Sequence, residues 1–298
     1  MTDPAGTVYM PSVRLVTAAH LPGLAPDDQE LLPALRRLAV PAEVVVWDDP
    51  AVDWSLAPIT VIRSVYDYHL RHAEFIAWIE RVAPLTSLYN PPEIIRWNSH
   101  KSYLNRVANA GFPIIPTEWV TKERPIDLAT VMLERRWTEV VVKPAVSASA
   151  HGTFKVTQKN LDEGQRHLIG LTGSGDALVQ PYLREFSTVG ETSVIWLGGE
   201  RTHGVRRPSG MDTSLEVAWA GAPRQPSEQE LSLAGAVYQW ITPAPLYARI
   251  DTLDTAEYGL LVLELELIEP ALYLRHSPRY ANQFASAIKR LVDGGARS

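Results

Sequence analysis

Apolar and polar residues follow two different patterns along the chain, and the change between them predicts its organisation. In the first part, short apolar runs at 12–17, 43–47 and 59–62 are separated by a stretch of helical periodicity and by turn-rich residues. Strands and helices at these spacings predict a small open α/β unit. The proline-containing segment 89–93 breaks the pattern. We therefore assign residues 1–95 to an N-terminal α/β domain.

The rest of the chain is predicted to form two further units. Helices over 98–110 and 126–135 precede a β-rich run and a loop of small residues, and this unit is expected to span 96–183. The last unit, 184–298, is expected to be a mostly antiparallel sheet with two covering helices. Its strands are predicted at 192–197, 202–205, 215–220, 246–253 and 260–267, and its helices at 227–240 and 279–292. The expected fold class is α/β and α+β.

Composition removes several classes of function. The chain has 298 residues, of which 46% are hydrophobic, and this is enough to bury two or three modest cores. Its net charge of −6 offers no basic surface, so we expect no nucleic-acid partner and no membrane partner. The chain contains no cysteine, which excludes a thiolate nucleophile and cysteine-ligated metals and is compatible with a cytoplasmic location. The oligomeric state stays open, and a homo-oligomer is compatible with the sequence.

The sharpest local pattern is the alternation in Leu263–Leu267, which places Glu264 and Glu266 on one face of a strand. This pair indicates either a solvated acidic face or a cation site, because adjacent carboxylates repel each other. Asp251 on the preceding strand favours the cation site. Three acids on neighbouring strands would suit magnesium, which prefers oxygen ligands.

The predicted hairpin raises a difficulty for this metal site. A simple turn places Asp251 opposite about Leu260, which is roughly 13 Å from Glu264 at the usual rise per residue. Either the strand register is shifted, or the acids serve two adjacent metal ions.

A second pattern is Lys143 at the end of a β-rich run, followed by a loop of small residues. The loop contains Ser147, Ser149 and Gly152 and does not match the P-loop sequence. A lysine facing such a loop can bind phosphate oxygens, although a solvated lysine before a flexible loop is the simpler interpretation.

Several motifs occur together in an order and spacing that resemble the ATP-grasp ligases. They are Asn98–Lys101, Val142–Pro144, Val179–Leu183, Asp251 and Glu264–Pro270. The glutathione synthetase-like and ribosomal-protein-modifying branches are the most similar. The resemblance covers the chain from the first of these motifs onward, and it implies that the preceding α/β unit is the smaller domain that usually precedes an ATP-grasp core.

The resemblance implies a nucleotide site and its cofactors, ATP and Mg²⁺. It implies that two lysines contact the phosphates beneath the loop, that the strand end near Leu183 contacts adenine, and that Glu191 reaches the ribose. Asp251, Glu264 and Glu266 would carry one or two magnesium ions, although the family commonly has asparagine as its last ligand, where this chain has Glu266. The ATP-binding residues expected on these grounds are Lys101, Lys143, Ser147, Ser149, Gly152, Gln180, Tyr182, Leu183 and Glu191.

The remaining polar residues are candidates for the substrate and for catalysis. Those expected to bind an amino-acid-like substrate are Arg63, Ser64, Asp67 and Tyr68, which follow the third apolar run, and Glu269. Hinge contacts or interdomain hydrogen bonds are the alternative for the first four, and a salt bridge to an arginine is the alternative for Glu269. Lys143 and Arg206 are expected to act in catalysis, with Arg206 or its neighbour Arg207 neutralising the transferred phosphoryl group. His151 is interpreted as a loop residue that orders with nucleotide.

A narrower resemblance links 61–68, 96–98 and 264–273 to a small group of ATP-grasp enzymes that includes O-ureido-D-serine cyclo-ligases, which close the ring of D-cycloserine. It implies that ATP activates a carboxylate as an acyl phosphate and that a nitrogen of the same molecule attacks it. Two alternatives stay open: an intermolecular carboxylate–amine ligase, and a nucleotide-binding module without catalysis.

Overall fold

The computed structural model describes residues 10–148, 150–207 and 219–295. Ser149 and most of the strand predicted at 215–220 lie outside the described residues. The strands are β1 (Val13–Thr17), β2 (Ala42–Val46), β3 (Ile59–Ser64), β4 (Ser87–Tyr89), β5 (Glu118–Val120), β6 (Glu139–Pro144), β7 (Phe154–Thr157), β8 (Ala177–Pro181), β9 (Thr192–Leu197), β10 (Glu200–Arg206), β11 (Ala222–Pro223), β12 (Tyr247–Thr255) and β13 (Gly259–Glu266). The helices are α1 (Leu31–Arg37), α2 (His72–Val82), α3 (Pro92–Asn98), α4 (Tyr103–Asn109), α5 (Leu128–Glu134), α6 (Leu161–Thr172), α7 (Arg184–Thr188), α8 (Glu228–Trp240) and α9 (Pro278–Gly295).

The first of the three β-sheets formed by the described residues is parallel, with strand order β2-β1-β3-β4. Strand β1 is buried along its whole length because helices cover both faces of the sheet. Val13 and Leu15 join the core that contains α1 and α9, whereas Val16 joins the core around Trp78 of α2. The predicted open α/β unit is confirmed.

The second sheet is antiparallel, with strand order β5-β8-β6-β7. Val140 and Val142 of β6 pack on α5 and α6. Successive residues of a strand face opposite sides, so Val141 and Lys143 line a cavity on the other face. This alternation is what turns Lys143 towards the functional site.

The third sheet is antiparallel, with strand order β11-β10-β9-β12-β13. Helices α3, α4 and α8 share a core with its central strands. Helix α9 was expected to cover this sheet, and it contacts β9. Its Phe284 also packs in the core that contains α1 of the N-terminal unit. No described helix is both long and apolar enough to span a lipid bilayer.

Candidate active site

Strands β12 and β13 bring the three predicted metal ligands together. Asp251 pairs directly with Glu264, and it is Asp254 that lies opposite Leu260. The expected distance of roughly 13 Å is therefore wrong. The turn lies later than predicted, and the register shifts by one residue between Asp251 and Thr252. The shifted register was the first of the two alternatives derived from the sequence.

The carboxylates of Asp251, Glu264 and Glu266 each offer an oxygen within 4.8 Å of the others. Asp251 is completely buried, whereas the two glutamates line the cavity. Three convergent hard oxygen ligands are a donor set that fits a magnesium ion.

Arg249 neutralises part of this negative charge. Its Nη2 lies 3.0 Å from an oxygen of Asp251 and 2.7 Å from Oε1 of Glu266. Ser193 donates a further hydrogen bond of 2.5 Å to Asp251. Sequence reasoning assigned no role to Arg249, although its position two residues before Asp251 places both on one face of β12.

Two lysines meet Glu264 from the opposite side. Nζ of Lys101 lies 2.6 Å from Oε1 of Glu264, and Nζ of Lys143 lies 3.9 Å from the same atom. Burial alone would raise the pKa of Glu264, but Lys101 and Lys143 hold it well below its usual range. Burial lowers the pKa of Lys143 to about 8, because Glu264 offsets only part of the desolvation and Lys101 repels it.

The backbone ties Lys101 to the loop that follows β6. The N–H of Lys101 donates a hydrogen bond of 2.7 Å to the carbonyl oxygen of Ala145. Ser147 and Thr153 of this loop line the cavity, whereas Gly152 lies outside the lining and its carbonyl oxygen contacts His167. The structure thus brings Ser147 to the site, and it does not place Gly152 there.

The other residues expected at the nucleotide lie along the same cavity. Gln180, Tyr182 and Leu183 line it at the end of β8, and Glu191 lines it at the start of β9. Burial raises the pKa of Glu191 to about 7, although Arg207 opposes the shift.

Arg206 and Arg207 occupy different places at the end of β10. The guanidinium of Arg206 donates to the carbonyl oxygens of Val189 and Gly190, away from the cavity lining. Arg207 lines the cavity, forms an ion pair with Glu191 and lies 3.4 Å from Asp251. Neighbouring residues of an extended chain point in opposite directions, so the expectation for Arg206 is corrected in favour of Arg207.

Three of the expected substrate residues contact protein groups instead of the cavity. The guanidinium of Arg63 is fully buried, donates to Asp28 at 2.9 Å and donates to the carbonyl oxygen of Pro270 at 2.8 Å. Ser64 donates to the same aspartate at 2.9 Å. Arg63 therefore joins the N-terminal unit to the turn after β13, whereas Ser64 is bonded within the N-terminal unit. The expected contact of both residues with substrate is corrected.

Asp67 also lies outside the cavity lining. It accepts hydrogen bonds from Trp47 at 3.1 Å and from Arg71 at 2.6 Å, which satisfy its carboxylate within the N-terminal unit. Its expected substrate contact is corrected as well. Tyr68 and Glu269, by contrast, both line the cavity.

His151 follows the cavity-lining residue Ala150 and packs against the N-terminal unit. Its ring centroid lies 5.3 Å from that of His69. The loop after β6 therefore contacts the N-terminal unit.

Comparisons with known proteins identify proteins that this chain resembles. The family model of the N-terminal domain of the D-cycloserine synthetase DcsG matches residues 13–90. The cycloserine biosynthesis protein DcsG of Streptomyces lavendulae is 31% identical over 290 residues, which cover 92% of this chain and 96% of that protein.

Solved structures extend the comparison to the fold. A crystal structure of the D-cycloserine synthetase DcsG matches with a TM-score of 0.85 and 29% identity, covering 94% of this chain and 99% of that one. A RimK-domain ATP-grasp protein from Sphaerobacter thermophilus matches with a TM-score of 0.66 over 92% of this chain and 98% of its own, at 15% identity, which supports the fold alone. The predicted ATP-grasp fold is confirmed, and the chain is a carboxylate–amine ligase of that superfamily. With nearly a third of its residues shared along almost the whole length of a curated relative, the chain belongs to the D-cycloserine synthetase family of ATP-grasp ligases.

Proposed function

We propose that this protein uses ATP and magnesium to activate the carboxylate of O-ureido-D-serine and then closes the molecule to D-cycloserine. The observation that carries the proposal is the meeting of two partly buried lysines with three convergent carboxylates on one cavity. The name of the curated relative supports the choice of substrate.

The residues present fit both ligands. Asp251, Glu264 and Glu266 would hold magnesium through oxygen atoms. When bound, magnesium would neutralise the charge of the transferred phosphoryl group. Lys101 and Lys143 would contact the phosphates, and Ser147 would add a hydroxyl donor from the loop.

The far part of the cavity would hold the nucleoside. Gln180, Tyr182 and Leu183 would contact adenine, and Glu191 would accept a hydrogen bond from the ribose. Arg207, held between Glu191 and Asp251, would take the role expected of Arg206 and face the transferred phosphoryl group.

Ring closure requires no nucleophile from the protein. The carboxylate becomes an acyl phosphate, the ureido nitrogen bonded to oxygen attacks its carbonyl carbon, and phosphate leaves. One water molecule then hydrolyses the bond between the carbamoyl carbon and the ring nitrogen, which releases carbon dioxide and ammonia and leaves a five-membered cyclic hydroxamate. The site contributes by holding the two ends of one molecule close together and by excluding water from the acyl phosphate.

The test is an assay of the purified protein with ATP, magnesium and O-ureido-D-serine. We expect release of ADP together with a cyclic product identified by mass spectrometry, without a second amine. ADP release that requires an added amine would instead identify an intermolecular ligase. Tight ATP binding without turnover of any amino-acid-like carboxylate would indicate a binding module.

A further inference from the structure

Glu269 differs from the other acids around the cavity. Its side chain lines the cavity, only 6% of the residue is exposed, and no cation of the described chain lies within ion-pair distance of it. Its carboxyl group is hydrogen-bonded by its own backbone. The other acids at the cavity each form an ion pair, Glu191 with Arg207, Asp251 with Arg249, Glu264 with Lys101 and Glu266 with Arg249. A buried carboxylate without a partner is costly, which indicates that a ligand supplies the missing charge.

That ligand group is not the metal. The cluster of acids whose oxygens lie within 4.8 Å of one another consists of Asp251, Glu264 and Glu266, and within the described ranges it does not include Glu269. Glu269 lies three residues beyond the last of them, after β13 has ended. It therefore lies beside the metal cluster, close enough to interact electrostatically with Glu266, without belonging to it.

Tyr68 lines the same cavity. Its ring packs on Phe75, with centroids 5.1 Å apart, and the described residues offer its hydroxyl no hydrogen-bond partner. After burial, Glu269 is the strongest influence that raises the pKa of Tyr68. Among the described residues, a carboxyl group without an ion-pair partner and a hydroxyl without a hydrogen-bond partner thus line the same cavity.

The turn that carries Glu269 is held in place from the N-terminal unit. Arg63 donates to the carbonyl oxygen of Pro270 at 2.8 Å. Asp27 accepts hydrogen bonds from the N–H groups of Leu272 and Tyr273, at 2.8 and 2.6 Å. A carboxylate fixed in this way is suited to recognition, because little conformational entropy is lost when a ligand binds.

We propose that Glu269 binds the protonated α-amino group of the substrate, with the hydroxyl of Tyr68 as a second contact. The inference rests on the proposed function in taking the substrate to be an amino-acid-like carboxylate. It defines the substrate class as carboxylates with a free ammonium group. Deaminated and N-acylated analogues are then poor ligands, because they leave the buried carboxylate without a counter-charge.

The experiment compares O-ureido-D-serine with its deaminated analogue in three proteins: the parent, Glu269→Gln and Asp67→Asn. Binding is measured by calorimetry in the presence of magnesium and a non-hydrolysable ATP analogue, and turnover is measured as ADP release. Asp67→Asn is the matched control, because Asp67 is an acid of the same unit as Tyr68 whose carboxylate is bonded to Trp47 and Arg71. Thermal unfolding checks that Glu269→Gln folds, and Tyr68→Phe provides a second variant that keeps the packing on Phe75.

Glu269→Gln should weaken binding of the amino substrate by about ten- to a hundredfold, as expected for a lost charged hydrogen bond, and leave the deaminated analogue unchanged. Tyr68→Phe should cost about two- to tenfold. Asp67→Asn should keep the parental preference for the amino compound. The inference is overturned if the parent binds both compounds equally, or if the preference survives in Glu269→Gln.

Failure of the proposed function gives a different result. If another amino acid stimulates ADP release and O-ureido-D-serine does not, the proposed substrate is wrong. The same comparison, made with that amino acid and its deaminated analogue, then decides the role of Glu269.

Discussion

Replacing Glu264 by glutamine should separate nucleotide binding from turnover. In the structure Glu264 accepts a hydrogen bond from Lys101 at 2.6 Å and lies 3.9 Å from Lys143, so one carboxylate forms ion pairs with both lysines. At 2.6 Å and an effective dielectric constant of about 20, the attraction to Lys101 is about 6 kcal/mol before desolvation is subtracted. Phosphates that approach without magnesium must compete with this carboxylate.

Glu264→Gln keeps the shape of the side chain and removes the competitor. Because desolvation offsets most of the Coulomb attraction, we expect ATP in EDTA to bind about ten- to a hundredfold more tightly than in the parent. Turnover with magnesium should fall at least about a hundredfold, since one metal ligand is lost. Calorimetry at pH 7 measures the affinity, below the pKa of Lys143 of about 8.

Glu266→Gln is the matched control for this experiment. It also removes a carboxylate from the metal cluster. Because Glu266 is paired with Arg249, the contacts of the two lysines with Glu264 should stay unchanged. It should lose turnover without any gain in metal-free affinity. Equal metal-free affinity in the parent and in Glu264→Gln would refute the competition between this carboxylate and phosphate.

Three further predictions concern the phosphate site and the buried charges of the N-terminal unit. Arg63→Met should lower the free energy of unfolding in urea by about 3–5 kcal/mol, because Asp28 is left buried without its partner. Adding Asp28→Asn should recover part of this loss, and a loss below about 1 kcal/mol would contradict the prediction. Lys143→Ala should lower both the affinity for ATP and the rate of turnover. In the parent the affinity for ATP should fall as pH rises through about 8, where Lys143 loses its charge, and in Lys143→Ala this fall should be absent. Unchanged affinity would exclude a phosphate contact. Burial, with the charge of Asp28, raises the pKa of Asp27 from 3.8 to about 6, so the folded state holds this proton more tightly than the unfolded state. The parent should therefore lose stability relative to Asp27→Asn as pH rises from about 4 to 6. A stability difference that does not vary with pH would disprove this.

Local patterns in the sequence were sufficient to predict those features of the structure that depend on residues close together in the chain. Alternation predicted that Glu264 and Glu266 share a face of β13, and both line the cavity. The helix predicted from Ser227 begins there, because Ser227 caps it and Glu230 completes the capping box. Such features follow from the repeat of side-chain directions along a strand or a helix and from the residues in the first turn of a helix.

Register and partner choice depended on contacts between distant residues. A shift of one residue in the β12–β13 pairing, together with a later turn, places Asp251 beside Glu264, and nothing in either segment alone specifies it. The same limit applies to Arg63, whose partner Asp28 lies 35 residues away. A charge after a strand looks the same in the sequence whether it faces a ligand or a buried counter-ion.

The sequence by itself therefore determined the types of chemical group and the faces on which they lie: alternating acids on a strand, a lysine at a strand end, and motifs in the order of an ATP-grasp ligase. The tertiary structure decided which of these groups meet. It brought Lys101 to Glu264, replaced Arg206 by Arg207, and left Glu269 facing the cavity without a counter-ion among the described residues. The physical reason is that side-chain direction repeats over a few residues, whereas charge pairing depends on how separate sheets pack.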